Sequence, residues 1–325
     1  VAGVSPHYTT SSVFTEALVV RDSKGAKVKL HGIWVAVATP LHPSGEIDVE
    51  NWIRLAESLS TRGVDGLFFF GSTGEGPALP IAMRIKALAM MISQLRNRIS
   101  ITAGAMPSVT SAAVDEIKAY QEIGVDGIVV TTPYYFRPET DATTLRHFEI
   151  LNAASSVPLI VYNVPSRTGT SLTVEVIAKI AELSRFIGVK DSSGNLAHVQ
   201  YLIQRLASRP EFSISDGSED NWVFSVLAGA HGATLGIANV CAELCVRALK
   251  LVREGQLQQA IELNRRIVAI RDTVFCKGSV YGGLKEALAL LGFGGRTVAL
   301  PALEADPNAR AAIRQLLREE GFLQD

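Results

Sequence analysis

Eight times between Ile33 and Ile237 the chain passes from a short run of β-branched, aromatic or other apolar residues into a longer segment with apolar positions three and four apart. Strands that run parallel need a crossover between them, and a helix is the usual crossover, so this alternation predicts a parallel sheet of βα units. The spacing predicts strands over 33–39, 66–71, 99–103, 127–132, 159–163, 187–191, 212–215 and 233–237. Helices are expected over 49–61, 81–96, 110–122, 173–183 and 196–207. Eight such units close into an α/β (β/α)8 TIM barrel, whose reactive groups gather at the C-terminal ends of the strands.

An internal echo accompanies the repeat. Gly63-Val64-Asp65-Gly66, Gly124-Val125-Asp126-Gly127 and Gly229-Ala230-His231-Gly232 each precede an apolar run, as expected where glycine closes a helix and admits a tight turn into the next strand. After the eighth strand the pattern is helical, over 243–253, 257–274, 283–290 and 308–320. The expected organisation is therefore an N-terminal arm over 1–30, a barrel over 31–240 and C-terminal helices over 241–325. No Pro/Ser-rich linker divides the barrel from the helices, so they are expected to pack as one body.

Composition narrows the partners. Lys and Arg number 31 against 32 Asp and Glu, which leaves no basic surface for nucleic acid or anionic lipid. No apolar run approaches the ~18 residues that span a bilayer. Three cysteines without a C-x-x-C pair suit a reducing, cytoplasmic setting, and Cys241 and Cys245, four apart on an expected helix, are read as packing residues rather than metal ligands. His42, His147, His198 and His231 show no HxH or HExxH pairing, and GSTGEG lacks the spacings of phosphate and dinucleotide loops. Neither a metal nor another cofactor is expected.

Within the sixth strand, Phe186-Ile187-Gly188-Val189-Lys190-Asp191 sets a lysine at the end of an apolar run, where a barrel keeps its catalysts. A lysine amine in a water-poor site is suited to Schiff-base formation with a carbonyl substrate; a structural lysine, snorkelling outward or paired with Asp191, is the alternative. Tyr162 ends the fifth strand, next door, and a phenol there can move protons during carbinolamine formation and dehydration. The second strand runs into Gly71-Ser72-Thr73-Gly74-Glu75, a glycine-flanked turn whose N–H groups and hydroxyls suit a small carboxylate. Amine, phenol and carboxylate cradle together describe a site for a 2-oxo acid.

Four ordered segments, GSTGE (71–75), TPYYFRP (132–138), YNVPSRTG (162–169) and GVKDSSGN (188–195), resemble the pyruvate-dependent Schiff-base lyase family that includes dihydrodipicolinate synthase and N-acetylneuraminate lyase. The likeness runs from about His31 to the C-terminus. It implies that Lys190 forms the imine with pyruvate and that Tyr162 is the proton donor and acceptor. Ser72 takes the hydroxyl position of the proton relay, where synthases usually carry Thr. Tyr135 matches the second relay tyrosine, which in the family reaches a neighbouring subunit's site, so a homo-oligomer is implied, a tetramer or a dimer. Thr73 matches a residue that binds the pyruvate carboxylate, Thr234 falls where pyruvate is bordered in the eighth strand, and Arg167 matches the arginine that takes the carboxylate of aspartate semialdehyde.

The implied activity is condensation of pyruvate with aspartate semialdehyde, as in 4-hydroxy-tetrahydrodipicolinate synthases of lysine biosynthesis. Asp191-Ser192-Ser193 and Gly282-Gly283-Leu284-Lys285 instead resemble aldolases of 4-hydroxy-2-oxoglutarate or 2-keto-3-deoxy sugar acids, which use the same lysine. A non-catalytic 2-oxo acid binding protein is a third reading. Ile81 and Arg84 stand where some lysine-inhibited synthases have histidines and Pro107 stands near the usual Asn, so feedback inhibition by lysine is not expected.

Overall fold

A computed structural model describes residues 28–275 and 279–323; residues 1–27 of the expected arm lie outside them, as does Cys276. The eight strands are β1 (Gly32–Ala36), β2 (Gly66–Phe69), β3 (Ser100–Ala105), β4 (Gly127–Val130), β5 (Leu159–Asn163), β6 (Phe186–Asp191), β7 (Ser213–Asp216) and β8 (Gly232–Leu235). All pair in parallel with their neighbours in sequence, and β8 returns to β1 to close the barrel. The intervening helices are α1 (Val49–Thr61), α2 (Ile81–Leu95), α3 (Thr110–Ile123), α4 (Asp141–Ala154), the single turn α5 (Pro165–Thr168), α6 (Val174–Ile180), α7 (Leu196–Arg205) and α8 (Trp222–Leu227). Then come α9 (Ala238–Arg253), α10 (Leu257–Val274), α11 (Val280–Leu290) and α12 (Pro307–Glu319). None of the described helices is long and apolar enough to cross a membrane.

Strand residues alternate between two buried clusters. Ile33 and Val35, Leu67 and Phe69, Val189, and Ala233 and Leu235 face the helices, whereas Trp34, Phe68, Val129, Ile160 and Tyr162 fill the barrel interior. Trp34 fits only because Gly66 beside it has no side chain: a Cβ there would lie 2.5 Å from the indole. Val28 and Leu30, expected in a surface arm, are buried in the interior cluster. Both are apolar and lead directly into β1, so burying them removes apolar surface from water.

The Gly-X-X-Gly echo has a physical function beyond the turn. Gly63, Gly124 and Gly229 all have positive φ, as expected, and the residue before each strand then accepts an N–H from the neighbouring strand. Asp65 Oδ2 takes Ile33 N at 2.8 Å, Asp126 Oδ2 takes Ile101 N at 2.7 Å, and His231 Nδ1 takes Ile214 N at 3.0 Å. Each repeat satisfies a backbone donor near the start of an adjoining strand.

Apart from the single turn α5, two helices had no expectation in the sequence. In α4 the apolar stripe is diluted by Thr144 and His147, which are buried but polar; His147 bonds to Thr131 O at 3.0 Å and to Thr110 Oγ1 at 2.9 Å, tying α4 to the end of β4 and to α3. Its start is fixed by a capping box between Thr140 and Thr143. The other, α8, has six residues, too few to display a helical period. The helix expected at 243–253 begins earlier, at Ala238, and packs against β1 and β8 as the barrel's eighth helix. Cys241 and Cys245 are buried on it. Beyond it α10 packs on α9, and α11 and α12 pack on each other and on α10.

Candidate active site

Lys190 and Tyr162 meet because β5 and β6 are out of regular register. Leu159 pairs with Phe186 but Ile160 pairs with Gly188, so one residue of β6 is skipped and Tyr162 comes opposite Lys190. In an unbroken ladder Tyr162 would face Val189, and since side chains alternate, Lys190 would point to the helices. The irregularity turns the lysine into the barrel. There it is buried, with Nζ 4.4 Å from the centroid of the Tyr162 ring and 5.0 Å from that of Phe68. The two rings meet edge to face at 6.2 Å. The amine thus sits in an aromatic chamber with little access to water.

Beside it on β7 and β8, Ser215 lies opposite Lys190 in register and its hydroxyl pairs with that of Thr234 at 2.8 Å. Behind it, on the outer face of the strand, Asp191 accepts from Asn163 Nδ2 at 2.6 Å and from Ser193 N at 3.0 Å, and His198 Nε2 stands 3.4 Å away. Burial opposes ionisation of Asp191, but the hydrogen bonds from His198, Ser193 and Asn163 outweigh it and hold the carboxyl below its ordinary pKa. Asp191 therefore anchors the end of β6 instead of pairing with Lys190.

The GSTGE turn is strained at both ends: Phe70 and Glu75 have φ of 57° and 55°, left-handed values rarely taken by residues with side chains. Glu75 N donates to Ser72 O and Gly76 N to Gly71 O, which closes the turn on itself. Glu75 is then buried in an ion pair with Lys285 of α11, at 2.6 Å, while its other oxygen accepts Ala299 N at 2.6 Å. Burial lowers the pKa of Lys285, and the Glu75 carboxylate opposes that shift. Through this pair the C-terminal helices are clasped to the barrel mouth.

A cavity of about 430 Å³ opens there, with Ser72, Glu75, Tyr134, Arg167, Thr168, Tyr281 and residues 299–302 in its wall. Met106 and Val164 belong both to this wall and to the interior cluster that holds Phe68 and Tyr162, so the cavity floor is the roof of the lysine chamber. Of the expected residues, Ser72 and Arg167 face the cavity, and Lys190, Tyr162 and Thr234 lie in the barrel interior beneath it. Thr73 stands by the end of β8, its Oγ1 3.0 Å from where Gly236 would carry a Cβ. Tyr135 is 77% exposed and stacked edge-on against Phe136, outside the cavity, which takes Tyr134 instead. Arg84, expected as a departure from lysine-sensitive sequences, is buried and bound to Glu116 at 2.6 Å and to Tyr120 Oη at 2.8 Å.

A model of the dihydrodipicolinate synthetase family matches residues 29–320. The chain belongs to the dihydrodipicolinate synthetase family. This is a family of pyruvate-dependent class I Schiff-base lyases. Among its members, the 4-hydroxy-tetrahydrodipicolinate synthase of Nitrobacter hamburgensis is 33% identical over 298 residues, which cover 92% of this chain and 99% of that one. A monomeric dihydrodipicolinate synthase variant of known structure superposes with a TM-score of 0.86 at 27% identity, over 90% of this chain and 97% of the other. An E. coli K12 prophage protein of the same family, solved in complex with pyruvate, gives 0.85 at 28% identity, over 90% and 99%.

Several residues of the site carried no expectation from the sequence: Phe68, Ser215, Gly217, Tyr281 and the clasp of Glu75 with Lys285. Lys285 showed the same signal as Lys190, a lysine in an apolar run, but on a helix. Gly217 shows how tightly the chamber is built. A Cβ there would lie 2.0 Å from Ser192 Oγ and 2.8 Å from Lys190 Cε. Because a displacement of about 1 Å at a reacting group can cost about 10²-fold, Gly217→Ala is expected to slow borohydride trapping of pyruvate by tenfold or more while leaving the circular dichroism spectrum native. Trapping at the wild-type rate would show that Lys190 has room to spare.

Proposed function

We propose that the chain is a 4-hydroxy-tetrahydrodipicolinate synthase, condensing pyruvate with aspartate semialdehyde through an imine on Lys190. The observation that carries this reading is a buried lysine amine against the Tyr162 ring, roofed by a cavity whose mouth holds Arg167. Relatives bearing that name at 31–33% identity over some nine-tenths of the chain support it.

Lys190 Nζ attacks the pyruvate carbonyl, and Tyr162 supplies the proton that lets the carbinolamine oxygen leave as water. Loss of a proton from the pyruvate methyl gives an enamine, whose carbon adds to the aldehyde as the new alkoxide takes up a proton. The acceptor's own amine then adds to the imine carbon and displaces the Lys190 amine, which closes the ring of the product and frees the lysine. Ser72 and Thr73 serve the relay and the pyruvate carboxylate, and Thr234 borders pyruvate beside Ser215. Tyr135, exposed with Phe136 beside it, completes the relay in a second copy of the chain, which makes the working form a homo-oligomer.

Arg167 receives the carboxylate of the second substrate, for which its planar fork is suited. Arg167→Ala is expected to leave pyruvate trapping unchanged and to raise KM for aspartate semialdehyde about 10- to 100-fold, the loss of one charged hydrogen-bonded partner. Unchanged acceptor kinetics would contradict the role. Initial rates with pyruvate and aspartate semialdehyde, set against cleavage of 4-hydroxy-2-oxoglutarate, test the function itself; faster cleavage than condensation would make the chain an aldolase using the same lysine.

A further inference from the structure

The Arg167 side chain does not stand free at the cavity mouth. Its guanidinium carbon lies 5.6 Å from the centroid of the Tyr281 ring, within the ~6 Å over which a cation is held by an aromatic face. Tyr281 is half-buried and comes from α11, outside the eight βα units, and it lines the same cavity as Arg167. The Lys285 clasp, one turn further along α11, fixes the position of that helix against the barrel. Burial pushes the Tyr281 phenol above its ordinary pKa, so the ring presents an uncharged face. Glu75, the other charged residue among the described residues of the cavity wall, is already paired with Lys285.

We infer that Tyr281 is a specificity-determining residue of the second-substrate pocket: it is the shelf that aims the Arg167 guanidinium at an acceptor's carboxylate, and so sets the preference for carboxylated over uncharged aldehydes. The inference rests on the proposed function for the identity of the pocket, but its physical content is separable from the choice of aspartate semialdehyde. An unsupported arginine would sample many rotamers in water and lose part of its advantage for a fixed carboxylate. A phenylalanine would keep the shelf and lose only the hydroxyl.

The test is calorimetric titration of the wild-type, Tyr281→Phe and Tyr281→Ala proteins with succinic semialdehyde, which carries a carboxylate, and with butanal, which does not. Wild type and Tyr281→Phe are expected to prefer succinic semialdehyde, and Tyr281→Ala is expected to lose about tenfold of that preference at an unchanged melting temperature. An equal preference in all three proteins, or a parallel loss of affinity for both aldehydes, would overturn the inference, the latter being the mark of a merely structural residue. Wild-type turnover of pyruvate with aspartate semialdehyde, measured alongside, judges the proposed function separately: its absence, with the carboxylate preference intact, would reject that substrate and leave the role of Tyr281 standing.

Discussion

Replacing Lys190 by alanine is expected to reduce turnover by at least about 10⁴-fold, because it closes the covalent route and leaves only binding and proton transfer. The change removes a buried amine from between two rings and introduces no clash, so the fold is expected to survive. Lys190→Arg sharpens the result: it keeps a long basic side chain in the chamber and cannot form an imine. Both variants should therefore be inactive with native circular dichroism spectra. Residual activity within tenfold of wild type in either would mean that the reaction does not pass through this nitrogen.

Tyr162→Phe is expected to lower kcat by about 10²- to 10⁴-fold, the range that a positioned general acid–base contributes. The ring would still pack edge-on against Phe68 and under Lys190, so the loss is assignable to the hydroxyl and not to packing. Trapping of pyruvate should be slowed but complete at long times, since dehydration can proceed through water while the nucleophile remains. Stopped-flow rates of imine formation and steady-state kcat, measured on the same preparation, separate the two effects. A kcat within threefold of wild type would remove Tyr162 from the proton path.

The lysine and the tyrosine were legible because each is a polar group at the end of an apolar strand, a placement that needs a reason in a parallel barrel. What turns Lys190 inward, however, is the one-residue skip between Leu159 and Ile160, whose one trace in the sequence is Gly188 inside the β6 run, a glycine that the strand pattern absorbed without marking a bulge. The same holds for the residues that shape the chamber. Phe68, Gly217 and Ser215 are ordinary strand and loop residues until the barrel closes and sets them around one amine. Tyr281 and Lys285 lie on an appended helix 114 and 210 residues beyond their partners; Arg167 was legible as a carboxylate ligand and Glu75 as part of the GSTGE turn, but not the helix that holds them. Periodicity foretold the eight strands because their side chains alternate between two buried faces. It missed α4, whose buried face includes His147 and Thr144, and it placed Val28 and Leu30 in an arm although the barrel interior takes them up.

The measurement that bears most directly on the account is borohydride reduction of the wild-type protein with pyruvate, followed by intact-mass and peptide analysis. One reduced pyruvate adduct per chain is expected, on the peptide that carries Lys190, and its loss in Lys190→Ala. An adduct on another lysine, or none under conditions that trap a known family member, would contradict it.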